Sequence, residues 1–458
     1  MDQPDLSSIH ADLRATFRSG KTRSLAWRKG QLRQLERLIK ENEGVLEQAL
    51  HADLRKSAFE GWITELYVTK TELKHTLKHF EDWMQPEEIP TPAVAQPASS
   101  TVVREPLGVV LLIGPWNYPV QLSLAPMIPA IAAGNCILIK PSEVAAATSK
   151  VIAELVPRYM DPDAIRVVEG GVPETSALLD LHWDHIFFTG STAIGKIIMA
   201  AAAKHLTPVT LELGGKSPCI IDQSAKLSLA SKRILWGKLY NVGQTCVASD
   251  YILVHKSREQ ELYASLERTL KSFYPNGAQA SPDYGRIINE RHFDRLVALL
   301  EGQEVVQGGG HDRDDLFIEP TILKNVAPDS PVMSEEIFGP ILPVLTWEDL
   351  DEAIEFINDR PKPLALYVFT SKGKTRDAVL SRTSSGGACV NQTVMHLGVP
   401  DLPFGGVGAS GMGAYHGRSG FETFSHRKSV FKRGTLVDVP LIYPPYSEGK
   451  VKWARRLL

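Results

Sequence analysis

The chain has 458 residues, 43% of them hydrophobic and 22% charged, with a formal net charge of −3. That length is enough for two or three domains around a large core, and the composition is that of an ordinary globular protein. Such a charge balance gives no reason to expect a nucleic-acid partner; the acidic N-terminus is unlike a signal peptide, and no apolar run is long enough to span a bilayer.

Residues 1 to 80 read as helices, because Leu32, Leu35, Leu38 and Ile39 fall on one face and Leu46, Ala49 and Leu50 on another. The stretch "QPEEIPTPAVAQPASS" (85 to 100) then breaks the pattern with four prolines, as a linker or an extended arm. From Leu107 the texture changes. "GVVLLIG", "CILIK", "AIRVVEGG", "HIFFTG" and "VTLELGG" are short apolar runs with helix-like stretches between them, such as Ser191 to His205. Ile197 to Ala203 is a short piece of that helix. Strands alternating with helices imply a parallel sheet covered on both faces, with function gathered at the strand C-terminal ends. The alternation resumes after Gly215 with "PCIID", a helix through Trp236, "YILVH", a helix from Glu259, "LPVL", "ALYVF" and "ACVNQ". This reads as a second α/β unit. The tail, "YPPYSEGKVKWARRLL", reads as extended and then basic.

Four cysteines, Cys136, Cys219, Cys246 and Cys389, lie far apart and never as C-x-x-C. That argues against a zinc site and a disulfide framework, leaving a cytoplasmic, reducing compartment as the default. "HDRDD" (311 to 315) lacks a regular ligand spacing and reads as a solvated turn. His255 ends a strand and suggests an ordinary turn.

Several loops carry candidate chemistry. In "FFTGSTAIGKII" a glycine-rich turn at Gly190 and Ser191 opens a helix, a place that favours anionic groups. Gly190 to Lys196 also fits G-x-x-x-x-G-K, but Ile197 stands where a nucleotide-triphosphate loop needs Ser or Thr. In "LLIGPWNYP", Asn117 follows a strand end, and its amide can donate to a developing oxyanion. In "ILIKPSE", Lys140 and Glu143 stand where a ribose or phosphate could be held. "TLELGGKSP" puts Glu212 in an apolar strand, where burial would lift its pKa toward the range of a general base. Cys246 sits in the small, polar stretch "YNVGQTCVASDY", an unusual place for a structural cysteine. Taken alone, each stretch has a plain alternative: a turn asparagine, a solvated ion pair, a hydrogen-bonded glutamate, a passenger thiol.

"PWNYP", "KPSE", "FFTGST", "LELGGKSP", "GQTC", "EEIFGP" and "LPFGGVGASGMGAYHG" occur together and in this order. Together they resemble the NAD(P)-dependent aldehyde dehydrogenase superfamily over almost the whole chain. "GQTCVASDY", "GMGAYHG", "FSHRKSV", "YPPY" and the short N-terminus look like its class 3 branch, which includes fatty and aromatic aldehyde enzymes. The resemblance implies an α/β fold with a parallel-sheet cofactor-binding domain (1–81 and 107–211), an α/β catalytic domain (212–419) and a small β bridging arm (82–106 and 420–446). It implies Cys246 as the nucleophile, Asn117 as the oxyanion donor with a backbone N–H at Cys246, and Glu212 as the base for thioester hydrolysis. Lys140 and Glu143 would meet the adenosine ribose, Gly190 and Ser191 the pyrophosphate, Glu336 the second ribose, and Phe338 the nicotinamide. NAD is expected to be preferred with NADP usable, the substrate a medium- or long-chain aliphatic or an aromatic aldehyde, and the assembly a homodimer. Gln392 departs from the acidic residue often found after Asn391. No membrane anchor is expected, since "KVKWARRLL" is too short and too charged to span. The nearest rival is an acylating relative that hands the thioester to CoA or phosphate and needs no base at Glu212.

Overall fold

A computed structural model describes residues 5–438 and 440–457. Three larger sheets organise the described residues. The first has six strands in the spatial order Gly411–Met412, Val209–Glu212, His185–Thr189, Val109–Ile113, Cys136–Lys140, Ile165–Val167. All its pairs are parallel except the edge pair formed by Gly411–Met412. The strands Val109–Ile113, Cys136–Lys140 and His185–Thr189 are buried along their full length, which is why they are apolar runs rather than alternating patterns. The helix Leu25–Glu41, opened by Ser24 accepting from the Trp27 N–H, buries Leu32, Leu35, Leu38 and Ile39 and packs on the helices Met127–Ala133, Tyr67–Trp83 and Ala146–Tyr159.

Chain order reverses at Val109–Ile113. The next strands step to one side, and His185–Thr189 then pairs on the other. The loops leaving Ile113 and Thr189 therefore border a switch-point crevice, the usual ligand position in a doubly wound sheet.

The second sheet has seven strands, Glu304–Gln307, Thr321–Lys324, Ile341–Trp347, Tyr251–His255, Pro218–Ile221, Ala365–Phe369 and Gly387–Val390 in spatial order. Only the Glu304–Gln307 edge pair is antiparallel. The third sheet is antiparallel: Glu87–Ile89, Ala98–Pro106 and Ser425–Arg433. The proline-rich stretch thus supplies strands.

Three features differ from the sequence reading. Gly411–Met412 returns to the first sheet and pairs with Leu211 and Glu212, so the segment before residue 419 is shared between the two large units. "HDRDD" is not simply a turn: His311–Asp312 pairs with Phe317–Ile318, although it stays exposed. The tail is not extended to its end: Glu448–Leu457 is a helix, with Glu448 in its first turn and Arg455 and Arg456 in its last, charges that suit the helix dipole. No helix among the described residues is long and apolar enough to cross a membrane.

Candidate active site

Cys246 lies in the loop between the turn Tyr240–Gly243 and the strand Tyr251–His255, partly buried. The loop is wired tightly. Gln244 donates to the Asn241 carbonyl and the Arg286 carbonyl, both at 3.0 Å, and its Oε1 accepts from Ile288 N–H at 3.0 Å. Gly243 has φ +77°, and a side chain there would overlap the Gly339 carbonyl. Glycine is required at that approach.

Glu212 ends its strand opposite Thr189 on one side and Gly411 on the other, only 3% exposed. Its backbone carbonyl accepts from Gly190 N–H at 3.0 Å. Neither of its carboxyl oxygens has a hydrogen-bond partner among the described residues. Burial without a partner pushes this carboxyl well above the usual carboxylate range. Burial also pushes the Cys246 thiol up, and the Glu336 and Glu212 carboxyls facing it add to the effect. The N–H groups of Cys246 and Val247 work in the opposite direction, favouring negative charge at the sulfur.

Asn117 is buried after the strand Val109–Ile113. Its side-chain amide donates to the Gln244 carbonyl at 3.1 Å, which leaves the amide a second N–H. Tyr118 and Thr245 share a hydroxyl hydrogen bond of 2.6 Å. The turn bearing Asn117 and the loop bearing Cys246 are therefore joined at two points.

Lys140 closes its strand with its side chain buried, and its Nζ reaches the half-exposed Glu143 at 2.6 Å. Lys140 and hydrogen bonding within the segment hold Glu143 below the usual range, against partial burial. Ser191 caps the helix Thr192–Ala203, accepting from Ile194 N–H at 3.4 Å. Glu336 approaches the backbone so closely that a side chain at Gly214 would overlap its carboxyl. Burial first, then Asp250, raises Glu336 to about 8, while Gly215 N–H, Lys216 and Lys238 oppose the rise. Phe338 has φ +51°, a sparsely populated conformation for an aromatic residue, and meets Trp116 edge-on at 5.4 Å.

Sequence reading missed the groups that hold this set. Asp250 accepts from Ile337 N–H at 3.1 Å and from Lys216 Nζ at 2.6 Å. Lys216 also donates to the Val332 and Glu335 carbonyls, both at 2.8 Å. Arg295 donates to the Ile337 carbonyl at 2.6 Å. Asp250 adjoins the cysteine stretch, and Lys216 follows "LELGG"; their charge in apolar surroundings was the available signal. Among the described residues there is no cluster of potential metal ligands.

The donor set fits a dinucleotide. A lysine–carboxylate pair and a helix N-terminus follow the two strands that flank Val109–Ile113 in the first sheet, and a carboxyl with two oxygens unpartnered among the described residues acts electrostatically on the thiol.

The Aldehyde dehydrogenase family profile matches residues 1–430. The chain is 51% identical over 429 residues to a Mus musculus protein named "Aldehyde dehydrogenase, dimeric NADP-preferring", covering 94% of this chain and 95% of that one. It is 47% identical over 446 residues to the 4,4'-diaponeurosporen-aldehyde dehydrogenase of Staphylococcus aureus, covering 97% of each. The substrate-bound state of Staphylococcus aureus AldH superposes with a TM-score of 0.97 at 46% identity, covering 99% of each chain.

Proposed function

The chain belongs to the aldehyde dehydrogenase family and is an NAD(P)-dependent oxidoreductase of aldehydes, and from that premise we propose how its own residues divide the work. Cys246 loses its thiol proton to solvent, and the thiolate Sγ attacks the aldehyde carbon to form a thiohemiacetal anion. The free N–H of the Asn117 amide and the Cys246 backbone N–H meet the oxygen that gains negative charge. NAD(P)+, held by Lys140, Glu143, Gly190, Ser191, Glu336 and Phe338, would supply the hydride acceptor for this adduct, and Cys246 would then carry the acyl group as a thioester. Glu212 takes a proton from a water molecule that attacks the thioester, and the acid is released. Lys140 and Glu143 orient the adenosine ribose, Gly190 and Ser191 the pyrophosphate, Glu336 the other ribose, and Phe338 packs at the reactive ring.

The observation that carries this reading is the buried, unpartnered Glu212 carboxyl beside Cys246. An orphaned acid is costly to bury. A base for hydrolysis accounts for it, whereas transfer of the acyl group to CoA or phosphate leaves it without a task.

The substrates are medium- or long-chain aliphatic or aromatic aldehydes. Two observations support this: the Tyr118 hydroxyl shares a hydrogen bond with Thr245, and just before the cysteine loop the rings of Trp236 and Tyr240 meet at 4.7 Å. NAD is the preferred cofactor and NADP is usable. The protein works as a cytoplasmic homodimer: its cysteines are free thiols, and one relative is named dimeric. Residues 1–81 with 107–211 form the cofactor-binding domain, 212–419 the catalytic domain apart from the strand Gly411–Met412 that joins the first sheet, and 82–106 with 420–446 the bridging arm.

A panel of aldehydes from short aliphatic to long-chain and aromatic, followed by NAD(P)H absorbance, tests the substrate class. Rising kcat/KM with chain length or aromatic character is expected. A preference for acetaldehyde, or turnover that requires CoA or phosphate, overturns the reading.

A further inference from the structure

We infer that Lys56 and Glu65 are positioning residues of this reaction, a buried ion pair that holds the Asn117 turn in place against the cysteine loop. The inference rests on the oxyanion role proposed for Asn117.

Both side chains are fully buried and meet at 2.6 Å. An ion pair this deep is a weak source of stability, because desolvation offsets most of its attraction. Its remaining bonds all converge on one short turn. Lys56 Nζ donates to the Asn117 carbonyl at 2.9 Å and lies 3.9 Å from the centre of the Tyr118 ring. Glu65 Oε2 accepts from Val120 N–H at 2.8 Å and from Gln121 N–H at 3.1 Å. The cation thus grips the start of the turn and the carboxylate grips its end.

The opposite side of the turn is held by the cysteine loop. Asn241 Nδ2 donates to the Asn117 carbonyl at 2.7 Å and to the Gln244 carbonyl at 3.1 Å. Asn241 has φ +49°, and its own N–H donates to the buried Glu60 Oε1 at 2.7 Å. Glu60 and Glu65 therefore reach from one short run of chain to both halves of the candidate site.

The backbone around Glu65 gives independent support. The helical run from Ala58 to Trp83 is interrupted by a π-helical stretch, Trp62–Leu66, that contains Glu65. Wide turns of this kind are rare and concentrate at functional sites. Here the wide turn presents a carboxylate to two successive N–H groups of a turn elsewhere in the chain.

If the pair is removed, the Asn117 carbonyl loses one of its two donors and the peptide can rotate, carrying the side-chain amide with it. A misplacement of about 1 Å at a reacting centre can cost on the order of a hundredfold in rate. The experiment compares Lys56→Met, Glu65→Gln, Asn117→Ala and the double variant Lys56→Met/Asn117→Ala in the full-length enzyme. Glu65→Gln keeps an oxygen for the two N–H groups while removing the charge, so it serves if Lys56→Met does not fold. For either single variant, kcat should fall roughly 30- to 100-fold with KM within about threefold. The pre-steady-state burst of NAD(P)H should slow in parallel, with cofactor affinity unchanged. The double variant should be no slower than Asn117→Ala alone, because the pair acts through Asn117. Wild-type kcat in Lys56→Met or Glu65→Gln, or additive losses in the double variant, overturns the positioning role while leaving the Asn117 assignment standing. Wild-type kcat in Asn117→Ala overturns the oxyanion assignment itself, and the positioning role with it.

Discussion

Burial raises the pKa of the Cys246 thiol and the charge of Glu212 adds to that rise, while neither oxygen of Glu212 has a hydrogen-bond partner among the described residues. The proposed nucleophile and base are thus coupled by charge, with no bond between them among the described residues. The Asn117 amide, tied to Gln244 two residues before the sulfur, lies on a different turn. The two proposed half-reactions can therefore be separated by substitution.

Cys246→Ala is expected to abolish aldehyde oxidation and to leave cofactor binding near normal. The sulfur is the proposed covalent link, whereas Lys140, Glu143 and the Ser191 cap stand on other elements. Steady-state rates and a cofactor fluorescence titration check this. Residual activity above about a hundredth of wild type would sink the nucleophile assignment.

Glu212→Gln should spare acylation and block hydrolysis. Rapid mixing should show a burst of NAD(P)H close to one equivalent per site, followed by very slow turnover. The swap is nearly isosteric and breaks no side-chain hydrogen bond. Full steady-state turnover would show that another residue is the base; loss of the burst would show that Glu212 also acts on the thiol.

Glu143→Gln should shift cofactor choice. Glu143 binds Lys140 at 2.6 Å, and as a carboxylate it would repel a 2′-phosphate. Removing its charge leaves the buried Lys140 Nζ free for an anion. The NADP/NAD ratio of kcat/KM should rise roughly tenfold, about 1.4 kcal/mol. A ratio unmoved by the substitution would show that Glu143 does not govern the choice.

Glu72 predicts a pH-dependent stability. It is 5% exposed, accepts from Gly417 N–H at 2.7 Å, and burial raises its pKa to about 7. A folded pKa above the unfolded value means that the unfolded chain loses its proton first as pH rises. The stabilising effect is complete below about pH 4.5 and is lost by about pH 7. Glu72→Gln, whose oxygen still accepts from Gly417, should match the wild type near pH 4.5 and be more stable above pH 7, by at most on the order of 3 kcal/mol. Urea melts at both pH values check this. An equal offset at both would remove Glu72 as the cause.

Much of the candidate site was legible because its polar residues interrupt strongly apolar strands. Glu212 in "TLELGG" and Asn117 after "VVLLIG" announce themselves by contrast, and the fully buried strands gave the alternation its clarity. The supporting shell was not legible for the opposite reason. Lys56 and Glu65 lie in an ordinary amphipathic stretch, and their partners stand about 60 residues away. Nothing local encodes such a contact, nor the wide turn at Trp62–Leu66. The tail reads as extended and then basic; "YPPY" does lie outside the helix, which begins only at Glu448 and which the sequence reading misses.

The late pairing of Gly411–Met412 with Leu211 and Glu212 bears on how the protein is made. During synthesis the strand Val209–Glu212 leaves the ribosome about 200 residues before its edge partner. At ~5–20 residues per second, that open edge waits roughly 10–40 s. The strand Ala98–Pro106 waits longer still for Ser425–Arg433. Nascent chains therefore carry both unpaired strand edges while about 200 residues are added, and unpaired edges seed aggregation. Chains released early, before residue 411, should be the ones that chaperones retain, and ribosome-bound chains should resist protease at Glu212 only after residues 411 to 433 have emerged.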